Sequence, residues 1–222
     1  MTATLGVLLA GGAGSRLGLG VPKALVRVGD LTLLERGVRT LAQICDAAVV
    51  VAPEQLSLPL PATGAASVAR IHDPKGAAGP LAGMVAGLAS RDYDRALVLG
   101  VDFPLMTPTT LRALLARFDE ARVAFEAMAC GARAIEAVIP APGGIAQPLA
   151  AAYAPAARDV LASRLAAGER APSRAVAALA SIVLDVAGVA ELVGGREAFF
   201  NLNTPADLDE ARRRVTSGTV RT

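Results

Sequence analysis

"TLGVLLAGGAGSRLGLGVPKAL", residues 4–25, changes character half-way. An apolar run stops at Gly11, and Gly11, Gly12, Gly14, Gly18 and Gly20 then crowd together with Arg16 and Lys23. Glycine loses more backbone freedom on folding than any other residue, so such a concentration needs a reason. The continuous run from Thr4 to Ala10 reads as a strand buried on both faces, the mark of a parallel sheet. In open parallel sheets, ligands bind beyond the carboxyl ends of the strands. Residues 11–18 lie just past that end. Glycines there permit positive φ and let backbone N–H groups converge on an anion, and Arg16 and Lys23 add fixed positive charge. The stretch reads as a polyphosphate cradle; the plain alternative is a flexible turn with incidental cations.

Two familiar glycine motifs fail in detail. A dinucleotide fingerprint would need glycine where Leu17 stands, and its acidic partner about 20 residues on is not evident. A P-loop needs Gly-Lys-Ser/Thr, whereas Lys23 lies between Pro22 and Ala24.

The rest of the chain alternates strand and helix signals. Thr32 with Glu35 three residues later forms a capping-box pattern, and Leu33, Leu34, Val38 and Leu41 make one apolar helix face. Residues 47–52, 67–71 and 95–101 read as further strands, and 80–90 as a helix. Thr107-Pro108 opens a helix carrying Leu111, Leu114, Leu115 and Phe118 at i, i+3, i+4 and i+7. Three short runs over 122–153, "RVAFEAM", "AIEAVIPA" and "PLAAAYA", are predicted to form an antiparallel hairpin or small subsheet. Helical patterns return at 155–167 and 172–180, and Thr204-Pro205 opens a last helix with Leu208 and Ala211 inward. The expected fold is α/β: a Rossmann-like three-layer α/β/α sandwich with a mostly parallel sheet and a small antiparallel subsheet.

Composition narrows the function. The 222 residues are 53% hydrophobic, enough for a sizeable core, and length suggests one domain. Net charge is +2 and aromatics are 3%, with no basic tract interleaved with aromatics, which argues against a nucleic-acid partner. The run Arg212–Arg214 reads as a solvated helix face. The first residues lack a basic n-region, and apolar runs are too short for a signal peptide or membrane span, so a soluble, cytoplasmic protein is expected. Cys45 and Cys130 stand alone and are expected to be buried thiols. His72, the lone histidine, has no cysteine or acidic partner at hand and is expected to be structural.

"LAGGAGSRLG" (9–18) followed by "PKAL" (22–25) resembles the signature loop of GT-A-type nucleotidyltransferases, a nucleotide-diphospho-sugar transferase-like fold. "HDPKGAAGPLAGMVAGL" (72–88), "LVLGVDFPLMTP" (97–108), "QPLAAAY" (147–153) and "FFNLNTPADL" (199–208) follow in the order seen in the molybdenum cofactor guanylyltransferase (MobA) family. The resemblance runs from residue 5 to about 210. It implies one domain over 1–222, with a nucleotide-binding part at about 1–120 and an acceptor-binding part at about 121–210. It also implies that the backbone of Leu9, Ala10, Gly11 and Gly12 holds the nucleotide. By the physical reading, Gly14 and Ser15 continue that cradle and Arg16 balances the departing pyrophosphate. Lys23 matches a family lysine that contacts the nucleotide.

Asp102 directly follows a strand, where the family places a metal-binding aspartate suited to Mg²⁺, which takes one or two carboxylates plus phosphate oxygens. Its alternative role is to cap the following turn. Asp73 matches an aspartate that contacts guanosine, or is simply an Asp-Pro turn. Gly79 and Gly83 would let a ligand approach a helix closely, or would serve helix packing. Gln147, Asn201 and Asn203 carry amides suited to a polar acceptor such as a pterin; Asn203 alternatively serves helix entry.

The implied reaction joins GMP from GTP to the phosphate of a molybdopterin-type cofactor, releasing pyrophosphate, in a monomer or weak homo-oligomer. The family commonly has an asparagine after the second strand, and "VVVAPEQ" (49–55) has none. A cytidylyltransferase for the same cofactor, a sugar- or polyol-phosphate nucleotidyltransferase, and a non-catalytic nucleotide-binding module remain open. A dehydrogenase is weakened by Leu17.

Overall fold

A computed structural model describes residues 2–11, 17–56, 58–61, 67–72, 79–128 and 134–217. In chain order the strands are β1 (Thr4–Leu9), β2 (Arg27–Val28), β3 (Leu31–Thr32), β4 (Ala47–Ala52), β5 (Ser67–His72), β6 (Arg95–Gly100), β7 (Ala137–Pro140), β8 (Ala150–Tyr153) and β9 (Ser181–Leu184). The helices are α1 (Leu33–Ala42), α2 (Pro80–Leu88), α3 (Pro108–Met128), α4 (Pro155–Ala166), α5 (Pro172–Ala175), α6 (Val186–Ala190), α7 (Gly195–Ala198) and α8 (Pro205–Thr216). Among the described residues seven strands form one sheet in the order β5-β4-β1-β6-β8-β7-β9, and β2-β3 form a separate ladder. β5, β4, β1 and β6 are mutually parallel, β8 runs against both its neighbours, and β9 is parallel to β7.

The apolar runs are continuous because both faces of the sheet are covered. Leu5, Val7, Val49, Val51 and Val98 pack with Leu81, Met84 and Leu88 of α2 and Leu161 of α4. The alternate residues Leu8, Val50, Leu97 and Leu99 pack with Leu34, Val38 and Leu41 of α1 and Leu111, Leu114 and Phe118 of α3. Two glycines let these helices sit close. A Cβ on Gly37 of α1 would lie 2.6 Å from Leu8 Cδ1, and one on Gly87 of α2 would run into Val7 Cγ1. Interiors packed to crystal density cannot absorb such a group without shifts.

The capping box at α1 forms as its sequence predicts: Glu35 N–H donates to Thr32 Oγ1 at 3.1 Å and Thr32 N–H to Glu35 Oε2 at 2.7 Å. The Thr32 N–H bond holds the Glu35 carboxyl below its ordinary range. Arg36 beside it is buried, and its Nε and Nη2 both donate to Val28 O, at 2.9 and 2.6 Å, which ties the β2–β3 ladder to α1.

Two elements differ from expectation. Residues 122–128 continue α3 as helix and are not a strand. Their polar residues fall at helical spacing, with Arg122 and Glu126 pairing at i,i+4, and Val123 is 67% exposed, so no apolar face is left for a sheet to bury. The expected antiparallel hairpin does form, as β7 and β8, and it joins the main sheet through β6. β9 was not foreseen: as an outer strand it leaves Ile182 and Val183 exposed, and it lacks the buried pattern that marks inner strands. Cys45 is buried, which pushes its thiol up to about 12. Cys130 lies outside the described residues. Among the described residues no helix is long and apolar enough to cross a membrane.

Candidate active site

The strand order reverses between β1 and β6: from β1 the chain moves out through β4 to β5, then returns to the other side at β6. The crevice beyond the carboxyl ends of such a pair is the usual ligand position in open α/β sheets. The end of β1 is tied there to β4 on one side and to the residue after β6 on the other. Ala10 N–H donates to Val51 O at 2.8 Å, and Val101 N–H to Leu9 O at 3.1 Å. Leu9 and Ala10 are buried and Gly11 is exposed at the rim. Gly12, Gly14, Ser15, Arg16 and Asp73 lie outside the described residues. Beyond them Gly18 and Gly20 take φ of +64° and +65°, a backbone that side chains disfavour, so two of the glycines serve the turn itself.

Lys23, Asp102 and Asn203 meet at this rim. Pro22 precedes the short 3-10 turn Lys23–Leu25, which aims Lys23 across the crevice. Lys23 Nζ lies 3.7 Å from Asp102 Oδ2 and donates to Asn203 Oδ1 at 3.1 Å. The side chains of Lys23 and Asp102 are 13% and 23% exposed, so the pair is partly shielded from water yet reachable. Gly100 makes room for the carboxylate, since a Cβ there would overlap Asp102 Oδ1. Among the described residues the Asp102 carboxylate accepts no backbone N–H, so its alternative role as a turn cap is not what holds it.

The segment before α8 is drawn onto the same turn. Leu202 N–H donates to Asp102 O at 2.8 Å. Asn203 Nδ2 donates to Asn201 Oδ1 at 2.8 Å. The α8 cap is built without the Asn203 side chain: Asn203 N–H and Thr204 N–H both donate to Asp207 Oδ2, at 2.9 and 2.8 Å, and Asp207 N–H donates to Thr204 Oγ1 at 3.2 Å. Burial works against charge on Asp207, but these N–H bonds and nearby Lys23 hold its carboxyl below the ordinary range. Helix entry therefore uses the backbone of Asn203 and leaves its amide to Lys23.

The other nominated residues are spread along the same edge. Gln147 lies half-buried in the β7–β8 turn, where Gln147 N–H donates to Pro140 O at 2.8 Å. That turn abuts the Asp102 turn through a 2.7 Å bond from Gly100 N–H to Leu149 O. Gly79 is exposed at the entry to α2 with φ +107°, a conformation that favours glycine, while Gly83 is buried inside that helix. His72 ends β5 opposite Ala52 with its side chain exposed.

Three neighbours of the site escaped the sequence reading. Gly100 carries no motif of its own. Asp207 could have been found from Thr204 three residues earlier. Tyr153 is fully buried, and its hydroxyl donates to Pro148 O at 2.7 Å, bracing the turn that bears Gln147.

The MobA-like NTP transferase domain family matches residues 6–182, most of the chain. The chain belongs to this family. It is accordingly a nucleotidyltransferase. A probable molybdenum cofactor guanylyltransferase of Thermococcus kodakarensis is 31% identical over 92% of this chain and 92% of its own. A 2-C-methyl-D-erythritol 4-phosphate cytidylyltransferase of Rhodococcus opacus is 31% identical over 94% of this chain and 93% of its own. The crystal structure of molybdopterin-guanine dinucleotide biosynthesis protein A from Archaeoglobus fulgidus superposes with a TM-score of 0.73 at 23% identity, covering 96% of this chain and 99% of that one, and shares the fold. MobA-like membership fits the crevice: a cation, a carboxylate and two amides at the switch point of the sheet.

Proposed function

We propose that this nucleotidyltransferase moves GMP from GTP to the terminal phosphate of a molybdopterin-type cofactor. A phosphate oxygen of the acceptor attacks the α-phosphorus of GTP, the bond from that phosphorus to the bridging oxygen breaks, and pyrophosphate leaves. Both reactants are anions, so the protein's task is alignment and charge neutralisation more than proton transfer. Lys23 meets phosphate negative charge at the rim. The backbone from Leu9 through Gly12 holds the nucleotide, Gly14 and Ser15 extend the cradle, and Arg16 balances the leaving group. Gln147, Asn201 and Asn203 serve the acceptor, as does the backbone at Gly79 and Gly83; Asp73 contacts the guanosine.

Asp102 would hold Mg²⁺. Among the described residues no group of three or more His, Cys, Asp or Glu could bind a metal, so Asp102 offers one carboxylate and leaves phosphates and water to fill the shell, a donor set that suits Mg²⁺. When bound, the ion supplies Lewis-acid stabilisation of phosphate oxygens. The chain works as one domain, residues 1–120 mainly serving the nucleotide and 121–210 the acceptor.

The observation that carries this reading is the convergence of Lys23, Asp102 and Asn203 at the switch point, in a chain whose relatives include molybdenum cofactor guanylyltransferases. The test is pyrophosphate release with each nucleoside triphosphate, with and without molybdopterin and Mg²⁺. Release that needs GTP, molybdopterin and Mg²⁺ together is expected, and no release under any combination refutes it. A second reading, cytidylyl transfer, is favoured by the missing asparagine in 49–55 and the cytidylyltransferase relative. Release with CTP in place of GTP would select it.

A further inference from the structure

We propose that Asn203 is a positioning residue that sets the polarity of Asn201, so that Asn201 presents an N–H donor, and not a carbonyl, to the acceptor substrate. The proposal rests on the reading above that Asn201 faces that substrate. The Lys23 ammonium group has hydrogens to give and no lone pair to offer, so the atom of Asn203 that meets it at 3.1 Å must be the oxygen. With Oδ1 turned to Lys23, the Asn203 Nδ2 is turned the other way, and it donates to Asn201 Oδ1 at 2.8 Å. Asn201 has then committed its oxygen. Its Nδ2 donates to no described residue, and it is the part of that amide left for a ligand.

The backbone cannot easily undo this order. Leu202 N–H is held by Asp102 O, and Asn203 N–H and Thr204 N–H by the Asp207 carboxylate, so three consecutive residues are pinned. Asn201 is half-buried and Asn203 exposed, so the pinned backbone, and not exclusion of water, keeps the two amides in register. The ligand atom that Asn201 takes is therefore a hydrogen-bond acceptor, a ring carbonyl or a phosphate oxygen. The same relay links the cation of the nucleotide subsite to the amide of the acceptor subsite through a single side chain.

The test changes the polarity and keeps the shape. Asn203→Asp still accepts from Lys23 but has no hydrogen for Asn201, whose amide then turns inward to donate and shows its oxygen to the substrate. The expected result is a KM for molybdopterin raised about tenfold, the scale of one hydrogen bond lost and one lone pair left facing another. Asn203→Leu, which leaves Asn201 unoriented but not reversed, should raise it less. In an Asn201→Ala background, Asn203→Asp should add nothing further, because coupled residues are not additive. Melting temperatures identify any variant that fails to fold, and Asn203→Leu then carries the comparison. An unchanged KM in Asn203→Asp, or an equal rise with and without Asn201, overturns the relay. If Asn201→Ala itself leaves the molybdopterin KM untouched, the acceptor role of Asn201 fails, and the relay with it.

Discussion

Replacing Gly100 with alanine tests whether the place of one carboxylate matters more than its presence. Gly100 is buried at the end of β6, where its N–H is bound to Leu149 O and its own carbonyl receives Phe103 N–H. A methyl group here would overlap Asp102 Oδ1 and touch Asp102 Cγ at 3.4 Å and Phe103 Cε2 at 3.5 Å. The two hydrogen bonds hold the backbone, so the carboxylate is what yields, and regaining an ordinary contact takes a retreat of about 1 Å. Such a displacement costs about 10²-fold in turnover when the group aligns a reacting phosphate. Asp102 Oδ2 lies 3.7 Å from Lys23 Nζ, so the same retreat also changes the geometry of their pairing. The cost in folding is that of modest overpacking, about 1–3 kcal/mol. The assay is steady-state pyrophosphate release alongside thermal melting. A Gly100→Ala enzyme that melts a few degrees lower and keeps turnover within threefold of the parent refutes the placement of Asp102 in the chemistry.

Further outcomes are expected. Asp102→Ala should lower turnover by about 10²-fold or more, as loss of one preorganised electrostatic group does, with the melting temperature kept; pyrophosphate release measures it. Lys23→Ala should raise the Kd for GTP in calorimetry, and an unchanged value removes Lys23 from the nucleotide subsite. Tyr153→Phe strips the donor from buried Pro148 O and should cost about 1–3 kcal/mol in urea unfolding. Tyr93→Phe should cost far less, because the buried Tyr93 hydroxyl has no partner among the described residues. In acid, Glu35 and Glu169 should contribute to unfolding. Contacts of the folded state, led by Thr32 N–H and by Arg174, hold both below their ordinary 4.5, Glu169 at about 2, so their stabilisation is present above pH 4.5 and is lost as pH falls towards the folded value. Glu35→Gln should flatten the stability curve below pH 4.5.

The sequence was most legible where local chemistry and tertiary packing ask for the same residues. The run Thr4–Leu9 had to be an inner parallel strand because its apolar residues fall on both faces, and Thr32 with Glu35 satisfied its own helix end whatever the rest of the fold did. Legibility failed where burial gave no pattern. The end of α3 is amphiphilic on every side, and β9 pairs along one edge with exposed valine and isoleucine, so neither carries a period tied to a core. Gly100 was illegible for a different reason. Its role comes from a side chain two residues away that folds back over it, and a missing atom leaves no trace in a pattern of hydrophobicity.

The candidate site shows the same division between motif and geometry. Lys23, Asp102 and Asn203 were each nominated from separate segments, yet what matters chemically is that three segments end within a hydrogen bond of each other. The topology brings this about. β1 and β6 are neighbours because the chain reverses direction at β1, and the strand ends then carry the loop leading to Lys23 and the turn bearing Asp102 to one place. α8 adds the third segment by an economical route: its cap is completed by Thr204 and Asp207, so the residue just before it is fixed in position while its amide stays available. A helix entry that used Asn203 as its cap would have placed the same residue equally well and left Lys23 with one partner fewer. The choice of Asp207 for the capping task is what turns an ordinary helix start into part of the site.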